Sequence, residues 1–187
     1  FVANADLITN GSFDTDLSGW VVSQGNGGCG TPTGRPYSGW APSQAGNDGV
    51  VYINACGELT GSPSLSLAEA ITGLTVGASY ELSWEFVRDN LGLQGPAEGS
   101  FRLLTTLDDP NRFLPYDNAS NTDWISESLV FTAEDTSFDF AFIAEWGTDA
   151  SYYVDNVSLT RVPEPGTLAL FGIGLLGMGA ARRRKKA

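Results

Sequence analysis

The sequence predicts an all-β fold, an antiparallel β-sandwich, followed by a short C-terminal hydrophobic helix. Three observations lead there. Tyr80, Leu82, Trp84 and Phe86 alternate with Glu81, Ser83 and Glu85, the period of two that sorts apolar and polar side chains onto opposite faces of a strand. Other short apolar runs recur along the chain between clusters of Gly, Asn, Pro and Ser, the punctuation of strands joined by turns. Ahead of the C-terminal tail there is no stripe with the 3.6-residue period of an amphipathic helix.

Taken in order, Leu7-Ile8, Phe13 and Trp20-Val21-Val22, set apart by Asn10-Gly11 and Ser18-Gly19, predict small strands and tight turns. Residues 23–47 are rich in Gly and Pro and lack periodicity. They predict one long loop, a feature that in a compact domain carries a function or needs a staple. Residues 50–54 predict a strand, 64–71 a half-buried strand and 72–77 a turn. Residues 80–88 are the clearest strand, one face in the core and the other wet. Beyond a Gly/Pro loop at 89–99, strands at 101–107, 124–132, 138–146 and 152–162 complete a single domain spanning residues 6–162. A domain of that size buries about two-thirds of the surface its unfolded chain exposes.

Charge narrows the function classes. Residues 1–162 carry 21 acidic against five basic side chains, a net of −16, which repels nucleic acid and anionic membrane and suits a binder of cations or neutral glycans. The chain has no histidine, so the commonest general base and transition-metal ligand are missing and any enzyme would rest on carboxylates. Glu81 and Glu85 share a strand face, but four residues of strand separate them by about 13 Å, wider than either glycosidase geometry. No nucleophile elbow, phosphate loop or zinc spacing is present, and no catalytic residue is assigned.

The C-terminus is built differently. Pro163-Glu164-Pro165-Gly166 cannot continue a helix, residues 167–181 are uncharged, and Arg182 to Lys186 are all basic. Fifteen helical residues span roughly 22 Å, short of a bilayer core of about 30 Å, a gap that long basic side chains reduce by snorkelling. By the positive-inside tendency the basic end is cytoplasmic and the rest is outside. This order of parts resembles the PEP-CTERM sorting signal of exported proteins in exopolysaccharide-producing Gram-negative bacteria. The resemblance implies recognition of Pro163, Glu164 and Pro165 by an exosortase, transient residence in the inner membrane, and delivery to the cell surface or matrix. At the other end, Ala3-Asn4-Ala5 has the small residues that a signal peptidase reads, so residues 1–5 are expected to be a signal-peptide remnant. Cys29 and Cys56, an even pair in an exported chain, are expected to form a disulfide contributing roughly 3.5 kcal/mol, the alternative being two thiols.

The domain itself carries a second resemblance. Asn10-Gly11-Ser12-Phe13-Asp14 with Gly19-Trp20, then Ile71 to Ser83, then Tyr153-Val154-Asp155-Asn156-Val157-Ser158-Leu159 are similar, in that order, to the jelly-roll carbohydrate-binding modules of the galactose-binding-like superfold. The resemblance implies a jelly-roll-like sandwich and a structural calcium ion held by Asn10, Ser12, Asp14 and Asp155; otherwise these residues satisfy turn backbones and a ladder end. Glycan binding would use aromatics that lie flat on a sugar ring, for which Tyr37, Trp40, Tyr116 and Trp146 are the candidates. Trp20, Trp84 and Trp124 read instead as packing residues. The function expected is non-catalytic binding of exopolysaccharide or another glycan, the alternative being a self-associating scaffold without a glycan site.

Overall fold

The computed structural model describes residues 5–23, 38–44, 46–55, 63–89, 101–107, 111–113, 123–144 and 150–163. Among these residues the regular structure is all strand: β1 (Trp20–Ser23), β2 (Ser38–Gln44), β3 (Asn47–Ala55), β4 (Ser64–Leu67), β5 (Ile71–Thr72), β6 (Ser79–Asp89), β7 (Phe101–Thr105), β8 (Asn111–Phe113), β9 (Ile125–Thr132), β10 (Ser137–Phe138), β11 (Phe140–Ala144) and β12 (Ala150–Arg161). Cys29, Cys56 and the expected helix at 167–181 lie outside the described residues.

The strands form two five-stranded antiparallel sheets, ordered β1-β4-β11-β7-β8 and β2-β3-β12-β6-β9, with a small β10-β5 pair beside them. The final strand lies between β3 and β6, so the chain closes its second sheet last. Alternate residues of both sheets meet in one core: Trp84 lies 5.6 Å from Phe142, and Phe101 stacks on Tyr152 at 4.8 Å. Each such ring, taken fully out of water, contributes about 1.5–3 kcal/mol. Trp84 carries a local cost, because its indole N–H is buried without an acceptor.

Several expected boundaries move. The loop expected at 23–47 contains β2, whose run Ser38 to Gln44 pairs with β3 in spite of Gly39 and Pro42. An edge strand tolerates both residues, since one side of it makes no ladder bonds. The strand expected at 64–71 divides into β4 and β5 in different sheets, and the one at 138–146 divides at Asp139. There the Asp139 carboxylate accepts from the Phe140 amide at 2.8 Å, a local bond that competes with the ladder. Ahead of β1, the small strands expected near Leu7 and Phe13 are an irregular loop.

That loop is fastened to β12. The Leu7 amide donates to the Leu159 carbonyl, the Asp6 carboxylate accepts from the Ile8 and Leu159 amides, and the Val157 amide donates to the Gly11 carbonyl, each at 2.9 Å. Asn10 and Phe13 take left-handed backbone angles, φ 56° and 51°, to make the loop's turns. Phe13 is fully buried and packs edge-on against Trp20 at 5.1 Å. At Gly11 a Cβ would stand 1.8 Å from the Val157 carbonyl oxygen, so no larger residue fits without moving backbone. Gly73, by contrast, has φ +85° in open space. Gly11→Ala is therefore expected to lower stability by about 3 kcal/mol or more, and Gly73→Ala by only about 1–2 kcal/mol from backbone strain, as measured by urea unfolding.

Candidate functional site

The register of β12 breaks between Asp155 and Ser158, and Asn156 within that bulge has φ 52°. The bulge holds the carboxylate of Asp155, 3% exposed, where the N-terminal loop, β3 and β6 meet. One carboxylate oxygen accepts from the Asn156 amide at 2.7 Å; the other accepts from the Asn47 side-chain amide at 2.7 Å and from that of Asn156 at 3.4 Å. The Asn156 side chain also donates to Glu85 at 2.8 Å, and Ser126 donates to the same carboxylate at 3.1 Å. Burial pushes Asp155 up to about 6 against the lowering effect of its Asn156 and Asn47 bonds, and the charges of Glu85 and Asp14 push the same way.

The expected cation ligands divide between two places. Asp14 is close enough for its charge to act on Asp155, and Ser12 donates to Asp14 at 3.0 Å. The Asn10 side chain turns elsewhere: it donates to the Asp16 and Ser18 carbonyls, each at 3.1 Å, and braces the loop. In that same turn the Ser18 amide, bonded at 2.8 Å, holds the Asp16 carboxyl below its usual range. Among the described residues no three Asp, Glu, Cys or His side chains cluster closely enough to hold a metal by themselves. Asn47, Glu85 and Asn156 were missed in the sequence. Asp155-Asn156 interrupts an otherwise apolar run, a signal for the bulge, but nothing in the sequence couples Asn47 to a residue 108 positions away.

Beside this polar junction one part of the outer face of the β2-β3-β12-β6-β9 sheet is apolar. Register aligns Gly39, Tyr52, Tyr153 and Val87 in one row across four strands, with Ala41 and Val50 next to it. The tyrosine rings lie 6.2 Å apart, and the Tyr52 ring reaches over Gly39. Tyr52, Tyr153 and Val87 are buried, and Trp124 packs against the cluster with its indole N–H lacking an acceptor. This corrects the expectation of one wholly wet face on β6: Val87 belongs to a second apolar cluster, and only the stretch through Glu81, Ser83 and Glu85 is polar.

Trp40 is 37% exposed on the edge strand β2, on the opposite strand face from Gly39 and Ala41. Its indole N–H donates to the Phe13 carbonyl at 2.7 Å, which ties it to the N-terminal loop. Gly49, φ +66°, makes room for that contact, since a Cβ there would stand 2.3 Å from the same oxygen. Trp20 and Trp84 are core residues as expected, and Trp124 packs on the outer cluster. Tyr37, Tyr116 and Trp146 lie outside the described residues, as do Glu164 and Pro165; Pro163 is exposed just after β12.

Residues 161–185 match the PEP-CTERM protein-sorting motif. Such a motif implies an exported, exosortase-processed protein. A sequence comparison with curated proteins finds no match. The fold is shared more widely. It is similar to the CBM61 module solved with β-1,4-galactotriose, with TM-score 0.58 and 13% identity over 84% of this chain and 99% of that one. It is similar to the CBM22-1 xylan-binding domain of Paenibacillus barcinonensis Xyn10C, with TM-score 0.51 and 16% identity over 87% and 98%. It also matches part of an arabinose-bound GH51 α-L-arabinofuranosidase, with TM-score 0.54 and 12% identity over 84% of this chain and 26% of that one. At these identities the likeness establishes the fold, an antiparallel sandwich like that of jelly-roll carbohydrate-binding modules.

Because its native pKa is raised, Asp155 binds a proton in the folded state that the unfolded chain has already released between pH about 4 and about 6. Its contribution therefore turns unfavourable as pH rises through that window and is fully unfavourable above it. Asp155→Asn is expected to raise stability over the parent by about 2 kcal/mol at pH 7, with the gain gone by pH 4, in paired urea titrations without added cation.

Proposed function

We propose that this is an exosortase-processed protein of the cell surface or extracellular matrix whose sandwich binds a glycan, such as exopolysaccharide, without catalysis. The observation that carries this reading is the half-buried Trp124, packed on the buried Tyr52 and Tyr153 and lying on the sheet face that also carries the amides and carboxylates of Asn156, Glu85 and Asp155. Sugar recognition needs flat apolar surface for the ring faces and a few fixed polar groups for the hydroxyls. Solved modules of the same fold support the reading, one of them in complex with a galactotriose and another xylan-binding. Tyr37, Trp40, Tyr116 and Trp146 remain the proposed peripheral contacts, and a Cys29–Cys56 disulfide the proposed staple. Before processing, the apolar tail would hold the protein in the inner membrane.

Catalysis is not part of the proposal. Asp155 and Glu85 are direct cross-strand neighbours, but the Asn156 side chain donates to both and Asp155 is buried, so a glycosidic bond has no place between them. A calcium ion suits the same junction. A buried carboxylate whose charge is opposed by two others would gain from a cation, which would supply charge neutralisation and bind the loop to β12. Asp155, Asp14, Ser12 and the amide oxygen of Asn47 would hold it. With fewer than three carboxylates clustered closely enough among the described residues, backbone carbonyls or water would complete the shell.

A second reading, self-association, is favoured by β9. It is an edge strand of eight residues without Pro or Lys, and its Val130 is 59% exposed. The two readings separate in affinity electrophoresis through gels cast with galactan, xylan or bacterial exopolysaccharide, run with calcium or chelator and paired with light scattering. Binding predicts a retarded monomer, with retention reduced roughly thirtyfold by Trp124→Ala or Trp40→Ala in a protein of unchanged circular dichroism. No retention in any gel, with oligomers or fibres in scattering, would overturn binding in favour of assembly. Calcium is expected to raise the unfolding midpoint of the parent and to leave that of Asp155→Asn in place.

A further inference from the structure

The sorting motif and the sandwich share residues. The match to the sorting motif begins at Arg161, which is the last residue of β12 and pairs with Tyr80 of β6. Val162 is hydrogen-bonded as well: its amide donates to the Ser79 carbonyl at 2.8 Å. The ladder stops at the next residue because Pro163 has no amide hydrogen to give. Pro163 is exposed, and just four residues, 163–166, separate Val162 from the apolar run that starts at Thr167. Fully extended they reach at most about 14 Å, and two of them are prolines.

A peptidase that acts on a peptide segment takes it as an extended strand whose backbone groups are free to pair with the enzyme. Val162 cannot offer its amide to an enzyme and to the Ser79 carbonyl at once, and Arg161 cannot leave its place beside Tyr80 without loosening that bond. We propose that the folded sandwich gates its own processing: exosortase engages the motif only when the end of β12 frays from β6, so the pairing of Arg161 and Val162 limits the rate at which the tail is removed. This rests on the exosortase reading given above. Fraying breaks one or two terminal hydrogen bonds, which lowers the competent fraction, and with it the processing rate at limiting enzyme, by about three- to tenfold. Because the tether is short, the enzyme must also work against the end of the sandwich that carries Ser79 and Leu7.

The test follows removal of the tail from the full chain in membranes that contain the exosortase, by the shift in mass with time. One variant inserts Gly-Ser-Gly-Ser-Arg-Val between Val162 and Pro163, so that the sheet keeps its own Arg161-Val162 and the motif receives a separate copy. A second, Glu164→Ala, alters the motif and leaves the sandwich alone. The insertion is expected to speed removal about three- to tenfold with an unchanged unfolding midpoint, and Glu164→Ala to abolish removal. Equal rates for parent and insertion, with Glu164→Ala inactive, would overturn the gate while keeping the exosortase reading. Removal from Glu164→Ala at the parental rate would overturn the exosortase reading and the gate with it.

Discussion

The contact between Gly11 and the β12 bulge is the constraint on which the rest of the molecule depends. Val157 donates to the Gly11 carbonyl, and its own carbonyl lies where a Cβ of residue 11 would be. This closeness fixes the N-terminal loop over the end of the sandwich, which drives Phe13 into the core and brings Asp14 toward Asp155. Trp20, Trp40 and Gly49 then serve one loop from three directions: two indole N–H groups donate to its carbonyls, and a missing side chain gives it room. The bulge has a second effect. By shifting the register it turns Asp155 and Asn156 into neighbours of Glu85, and so places the polar junction at the edge of the tyrosine row.

What could be read in the sequence follows from which interactions are local. β6 was legible because its core face alternates regularly, and the link of the first segment to the last strand was legible through Asn10–Asp14 and Tyr153–Leu159. β2 was hidden because edge strands accept the Gly and Pro that normally mark loops. The splitting of the strand expected at 138–146 turns on a single side-chain bond, that of Asp139, which propensity does not register. The outer apolar cluster did leave a trace. Val50-Val51-Tyr52-Ile53 and Tyr152-Tyr153-Val154 are unbroken apolar runs, the pattern of strands covered on both faces. Reading them simply as strands, with no cover assigned to either face, left Tyr52 and Tyr153 out of account. Asn47 was beyond reach, since its role comes only from the pairing of strands far apart in sequence.

Electrostatics gives the junction its character. The domain is strongly acidic and has no histidine, so titration in the range of neutral pH falls to a carboxylate moved there by burial. A buried, repelled carboxylate is costly unless a proton or a cation joins it. The same group is thus a liability in isolation and a fastening point once its charge is matched, and Asn47 and Asn156 provide part of that match through their amides.

The position of β12 has a mechanical consequence. The strand that leads into the tail is held in the middle of a sheet, between β3 and β6, and its final turns of chain are also bonded to Leu7. A pull applied through the C-terminus runs along the strand axis and loads the hydrogen bonds on both sides together, in shear. An edge strand in the same place would peel, one bond at a time. The sandwich is therefore built to bear load applied through the C-terminal end of β12, and the first part of it to yield would be the pair at Arg161 and Val162, with the core still intact.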